Sequence, residues 1–173
     1  SVYPTSRSDE AAENTAGVCM YYGGELVEAV YHSCDGGATE DAKNVWGSEV
    51  PYLKGKADPY EAMSSIPNYS YTVTYTMAEL TWVLQNSGYS IGTVKDVYVS
   101  GRTAQGNVAQ VTFVDTAGKV LTVTGDSARM AFYSTTYSKN VRSLRFTIAG
   151  GSGGGGGCYI NGTGNRLESL DGV

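Results

Sequence analysis

Hydrophobic and polar positions change period several times along this chain, and each change predicts an element. The polar run from Ser6 to Ala16 reads as a short helix. Ser6 or Ser8 can cap it, Asp9 and Glu10 suit the positive end of its dipole, and Gly17 stops it. Two β-rich runs follow, Val18–Tyr22 and Glu25–Ser33, joined by Gly23-Gly24 as in a tight hairpin. In the second run Leu26, Glu28 and Val30 face one way and Val27, Ala29 and Tyr31 the other. Asp41 to Trp46 fits a helical turn, and Pro51, Pro59 and Pro67 forbid a long helix after it. Tyr69–Tyr75 alternates as a strand. Thr76 to Glu79 fits a capping box opening a helix Met77–Asn86, with Leu80, Val83 and Leu84 on one face and Gly88 beyond its end. Val94–Ser100, Val108–Asp115 and Val120–Thr124 predict a three-stranded meander, with turns at 101–106 and 115–118. A short helix Asp126–Phe132 and a strand Leu144–Ile148 complete the order βαβββαβ.

This pattern predicts an α+β fold: a mainly antiparallel sheet, two or three short helices and a long ordered loop. Residues 1–149 are expected to form one domain and 150–157 a Gly-rich loop or linker. Residues 158–173 would be an incomplete hairpin, with Asn161-Gly162 as its turn and Leu167–Val173 as an unfinished strand. The glycine run is no phosphate loop, because no Lys-Ser/Thr follows it.

Composition narrows the function classes. A hydrophobic share of 41% allows a core but not a generous one, and a net charge of −5 disfavours a nucleic-acid partner. Fourteen tyrosines against three phenylalanines suit either a tyrosine-rich sheet face or a sugar-binding surface. No apolar run is long enough to span a bilayer, and no signal-peptide pattern is visible. Cys19, Cys34 and Cys158 form neither a C-x-x-C pair nor a Cys₂His₂ spacing, so reduced thiols are expected, although a Cys19–Cys34 bridge is conceivable. His32 and Cys34 alternate on an extended chain, but a metal would need two further ligands, so neither metal nor cofactor is expected.

Chemistry concentrates between Ala29 and Tyr60. His32 is the single histidine, and no second one exists to build a triad around Ser33 or Cys34. It could shuttle a proton, donate to a sugar or serve structure alone. Glu40, after Thr39, is either a proton donor to a glycosidic oxygen or a carboxylate that binds backbone amides. Tyr52 and Lys54 would share one face of an extended segment and could hold sugar hydroxyls and a carboxylate. Trp46 and Tyr60 could stack on sugar rings, and Trp46 could instead anchor the loop. The expectation is one wall of a sugar-sized groove with the Tyr52, Lys54 and His32 side chains turned inward.

The run Tyr31-His32-Ser33, Gly36-Gly37, Thr39-Glu40, Val45-Trp46-Gly47, Pro51-Tyr52-Leu53 and Asp58-Pro59-Tyr60 resembles the ordered signature of the SpoIID family, which comprises stage II sporulation protein D and amidase-enhancer domains. The likeness extends from about Val2 to Ala149, with Val141–Ile148 similar to the family's closing Ser-x-x-Phe strand. It implies binding of peptidoglycan glycan strands in the extracytoplasmic cell envelope. Other cell-wall or sporulation proteins are further partners it allows. The implied glycan-binding residues are His32, Ser33, Thr39, Glu40, Trp46, Tyr52, Lys54 and Tyr60. In the sporulation proteins the implied activity is lytic transglycosylation during engulfment, in which one glutamate protonates the leaving oxygen and the muramic C6 hydroxyl closes on C1. That glutamate lies in a run like Glu-Ala-Leu-Lys-Ala-Gln-Ala, which this chain lacks. It also lacks a Gly-His-Gly-Val-Gly-Met-Ser-Gln motif. The expectation is therefore a fragment without its catalytic carboxylate. The alternative is a non-catalytic amidase-enhancing or wall-binding module.

Overall fold

The computed structural model describes residues 5–32, 34–60, 66, 69–150 and 157–164. The candidate Ser33, the proline Pro67, residues 151–156 of the Gly-rich run and the segment Leu167–Val173 lie outside the described residues. The chain divides into two compact units, residues 1–30 and 31–173.

The first unit contains helix α1 (Ser6–Asn14) and a hairpin of β1 (Tyr21–Tyr22) and β2 (Glu25–Leu26). Thr5, one residue ahead of the expected caps, begins the helix. Its hydroxyl accepts from the Ser8 N–H, and the Ser8 hydroxyl accepts from the Thr5 N–H, so each satisfies a donor the helix leaves unpaired. The hairpin turns at Gly23-Gly24 as expected, but its ladder covers two residue pairs. The alternation from Val27 to Tyr31 does not extend it, since a two-stranded ribbon alone has little to stabilise its length.

The second unit is built on two antiparallel three-stranded sheets. One is the meander β4 (Val94–Arg102), β5 (Val108–Asp115), β6 (Val120–Thr124). The other has the order β3 (Ser70–Tyr75), β8 (Cys158–Thr163), β7 (Phe146–Ala149). Among the described residues three helices accompany them: α2 (Ala42–Trp46), α3 (Met77–Asn86) and α4 (Ser127–Met130). The antiparallel α+β reading holds. So does the capping box of α3, in which Thr76 and Glu79 exchange hydrogen bonds while Leu80, Val83 and Leu84 are buried.

Two elements differ from the sequence pattern. Strand β4 continues to Arg102, past the expected turn at Gly101, because irregular register at Val99/Gly101 and Gly101/Arg102 absorbs the glycine without ending the ladder. The larger correction concerns Asn161-Gly162. It is not a turn but lies inside β8, the central strand of its sheet, with Tyr71↔Gly162 and Phe146↔Gly162 in register on either side. Gly162 has a steric purpose there. A Cβ would land on the ring of Tyr71, which covers it.

One apolar core joins the sheets. Phe132, just beyond α4, meets Phe113 of β5 at 5.5 Å between ring centroids, Phe146 of β7 at 6.0 Å and Tyr75 of β3 at 6.2 Å. Tyr75 is fully buried, and its hydroxyl donates to the Phe132 carbonyl at 2.5 Å. Burial pushes that phenol well above its usual range.

Candidate functional site

The segment from Gly37 to Asp58 closes on itself. Ala38 and Ala57 form an antiparallel bridge. The Thr39 N–H donates to the Lys56 carbonyl, and the Lys56 N–H returns to the Thr39 hydroxyl, both at 2.9 Å. The Asp58 N–H donates to the Gly37 carbonyl at 2.9 Å. Deeper in the loop, Asp41 precedes α2 but does not cap it. Its carboxylate accepts from the Gly55 N–H at 2.6 Å, while the Ala42 N–H donates to Leu53. Polar residues in a proline-bounded run thus satisfy their own backbone, which is what a loop with only one short helix must do. The loop is docked on the sheet at Gly36, whose carbonyl accepts from the hydroxyls of Tyr69 and Thr163.

Glu40 is the second anchor. One carboxylate oxygen accepts from the Asp41 N–H and the Asn44 amide. The other accepts from the Thr103 hydroxyl at 2.5 Å and the Asn107 amide at 3.0 Å, both on the β4–β5 turn. Partial burial alone would raise its pKa, but these donors outweigh it and hold the carboxyl below its ordinary range. Of the two roles open to Glu40, the geometry supports the second: an ionised acceptor, with no proton to give near neutrality. Glu40→Gln turns one acceptor into a donor facing donors and leaves the buried Asn107 amide without its acceptor. We expect it to cost roughly 1–3 kcal/mol. The lowered pKa stabilises the fold above the ordinary glutamate value, about 4.3, and this share is lost as pH falls through the folded pKa. Wild type and Glu40→Gln should therefore converge in thermal midpoint on acidification; a constant gap would contradict this.

The remaining expected residues have diverse settings. Thr39 serves the loop closure. Lys54 donates to Glu49 at 2.7 Å and lies 4.0 Å from Asp41. His32 is half-buried, and its Nδ1 is enclosed with no hydrogen-bond partner among the described residues. Trp46, Tyr52 and Tyr60 are exposed by 52%, 37% and 75%, so Trp46 is not a buried anchor of the loop. Among the described residues, no group of three or more His, Cys, Asp or Glu side chains is placed to hold a metal ion.

A concavity among the described residues lies elsewhere. An open cleft of about 780 Å³ runs between the β3–β8–β7 sheet and the β4–β5 turn, lined by Arg102 and Arg145 together with Thr72, Thr147 and Asn161. None of the seven described candidates lines it. It is a surface other than the groove expected at the loop. Arginines scattered along a sequence are expected to be solvated or ion-paired. Arg129 is indeed paired with Asp126, and Arg142 stands over the Tyr71 ring at 4.7 Å. Arg102 and Arg145 instead donate to backbone carbonyls of Gly106, Phe146 and Gln105. Their spacing of forty-odd residues gave no local signal of a shared site.

No family model matches the chain. Over 75 residues it is 37% identical to the amidase enhancer of Bacillus subtilis (strain 168), covering 43% of this chain and 10% of that protein. Over 70 residues it is 37% identical to stage II sporulation protein D of the same organism, covering 40% of this chain and 20% of that protein. The stage II sporulation protein D of Bacillus amyloliquefaciens is 35% identical over 69 residues, with coverage of 40% and 20%. The chain spans a tenth to a fifth of the length of these curated relatives. The likeness to SpoIID-type proteins is thus shown over about two-fifths of the chain.

Proposed function

We propose that this chain is a peptidoglycan-binding segment of a SpoIID-like protein with a sporulation-related role at the cell wall, and that it holds glycan without cutting it. It would act outside the cytoplasm, in the envelope, on glycan strands. The observation that carries the reading is the self-closed loop from Gly37 to Asp58, which presents Trp46 and Tyr52 from a rigid frame, with Tyr60 just beyond it. Flat aromatic faces on a fixed loop suit sugar rings, and pre-ordering the loop lowers the entropy cost of binding. Glu40, ionised and fully engaged, is not assigned as acid. In relatives that cleave glycan, the resemblance implies a glutamate of another segment.

Cosedimentation with purified sacculi tests the proposal. The wild-type chain should pellet, and a Trp46→Ala/Tyr52→Ala double variant should bind about tenfold or more weakly, the loss of roughly 1.4 kcal/mol or more. Unchanged binding by a folded double variant would sink the reading. The likeness to an amidase enhancer favours a second reading, in which the segment presents wall to an amidase. The chain would then raise the rate of sacculus digestion by an added N-acetylmuramoyl-L-alanine amidase.

A further inference from the structure

We propose that the cleft between the β3–β8–β7 sheet and the β4–β5 turn is a binding site for a carboxylate-bearing sugar, separate from the loop and independent of the wall-binding reading. Arg102 donates to the Gly106 carbonyl at 2.9 Å and the Phe146 carbonyl at 2.8 Å, and Arg145 donates to Gln105 at 2.6 Å. These neutral acceptors fix both guanidinium groups without cancelling their charge. Among the described residues neither makes an ion pair. A guanidinium has five N–H donors, so both keep donors for a ligand. In a chain of net charge −5, two fixed and uncompensated cations in one cleft form a local exception. Planar N–H pairs match a carboxylate in geometry as well as charge.

The neighbouring surface points to a sugar in place of a bare ion. Thr72, Asn161 and Thr147 stand in one row across the three strands. All three are exposed, and the Thr72 hydroxyl meets the Asn161 amide oxygen at 2.8 Å. Hydroxyls and an amide both donate and accept, as a polyhydroxylated ligand requires. A cleft of about 780 Å³ also far exceeds the room one small anion fills.

The test is a titration followed by amide NMR shifts, with glucuronic acid, glucose and acetate as probes. Glucuronic acid should shift the amides of Thr72, Thr147 and Asn161 and bind at least tenfold more tightly than glucose or acetate. Arg102→Gln should lower its affinity about tenfold, and the dispersed amide spectrum of the unliganded variant should show that it still folds. A hyaluronan tetrasaccharide, which carries the same acid within a chain, separates the two sources. Binding at least as tight as the monosaccharide assigns an acidic residue of a glycan, and binding of the monosaccharide alone assigns a free acidic sugar. Equal affinity for glucuronic acid and glucose, or for glucuronic acid and acetate, would overturn the proposal in the wild-type chain itself, whatever the variant does. Failure here leaves sacculus binding by the loop untouched, and loss of sacculus binding leaves this site untouched.

Discussion

Phe132→Ala is expected to cost about 3–5 kcal/mol of folding stability, a larger loss than at any exposed aromatic. The ring is completely buried and meets three others, each from a different strand: Phe113 from the meander, Tyr75 and Phe146 from the second sheet. Its removal takes away the transfer energy of the side chain and leaves a cavity between two sheets that cannot both collapse into it. For a chain of this size, roughly 2–4 °C of midpoint goes with each kcal/mol, so the midpoint should fall by roughly 6–20 °C. Urea unfolding would check it. A loss under about 1.5 kcal/mol would mean that Phe132 does not tie the sheets together.

Gly36→Ala should lower stability by about 2–5 kcal/mol and, unlike the core change, should also weaken sacculus binding. Gly36 has φ +81°, a conformation costing other residues about 1–2 kcal/mol. A Cβ there would also lie 2.5 Å from the Thr163 carbonyl oxygen and 3.2 Å from Cβ of Arg145. The nearest obstacle is backbone in the central strand, so relief requires moving the loop off the sheet, at a further cost of roughly 1–3 kcal/mol. The expected signature is a variant that still folds yet binds sacculi several-fold less well and is cut faster by protease between Gly37 and Asp58. Wild-type protease resistance in that stretch would show that the loop is not fixed through Gly36.

The sequence signature and the structure mark the same loop but explain it differently. Thr39-Glu40 reads as chemistry when only neighbours in sequence are visible. In three dimensions Thr39 latches Lys56, and Glu40 reaches across more than sixty residues to Thr103 and Asn107. Nothing near Glu40 in sequence announces those donors. Trp46, Tyr52 and Tyr60 are exposed at the surface. Arg102 ends β4 and Arg145 precedes β7, in different sheets, and only the packing of those sheets, with Arg102 donating to the Phe146 carbonyl, brings the two to one cleft.

Local rules were enough for most elements. Alternation fixed β3 and the meander, Thr76 and Glu79 fixed the start of α3, and the prolines kept the 51–60 segment irregular, because each acts within a few residues of itself. What the tertiary structure decided is where strands meet. Asn161-Gly162 has the local grammar of a turn, yet the Tyr71 ring occupies the space where a side chain would stand, and pairing on both edges holds the chain extended. Backbone hydrogen bonds from two flanking strands outweigh a dipeptide's turn preference, and those strands, more than seventy residues apart in sequence, are neighbours only in the folded protein.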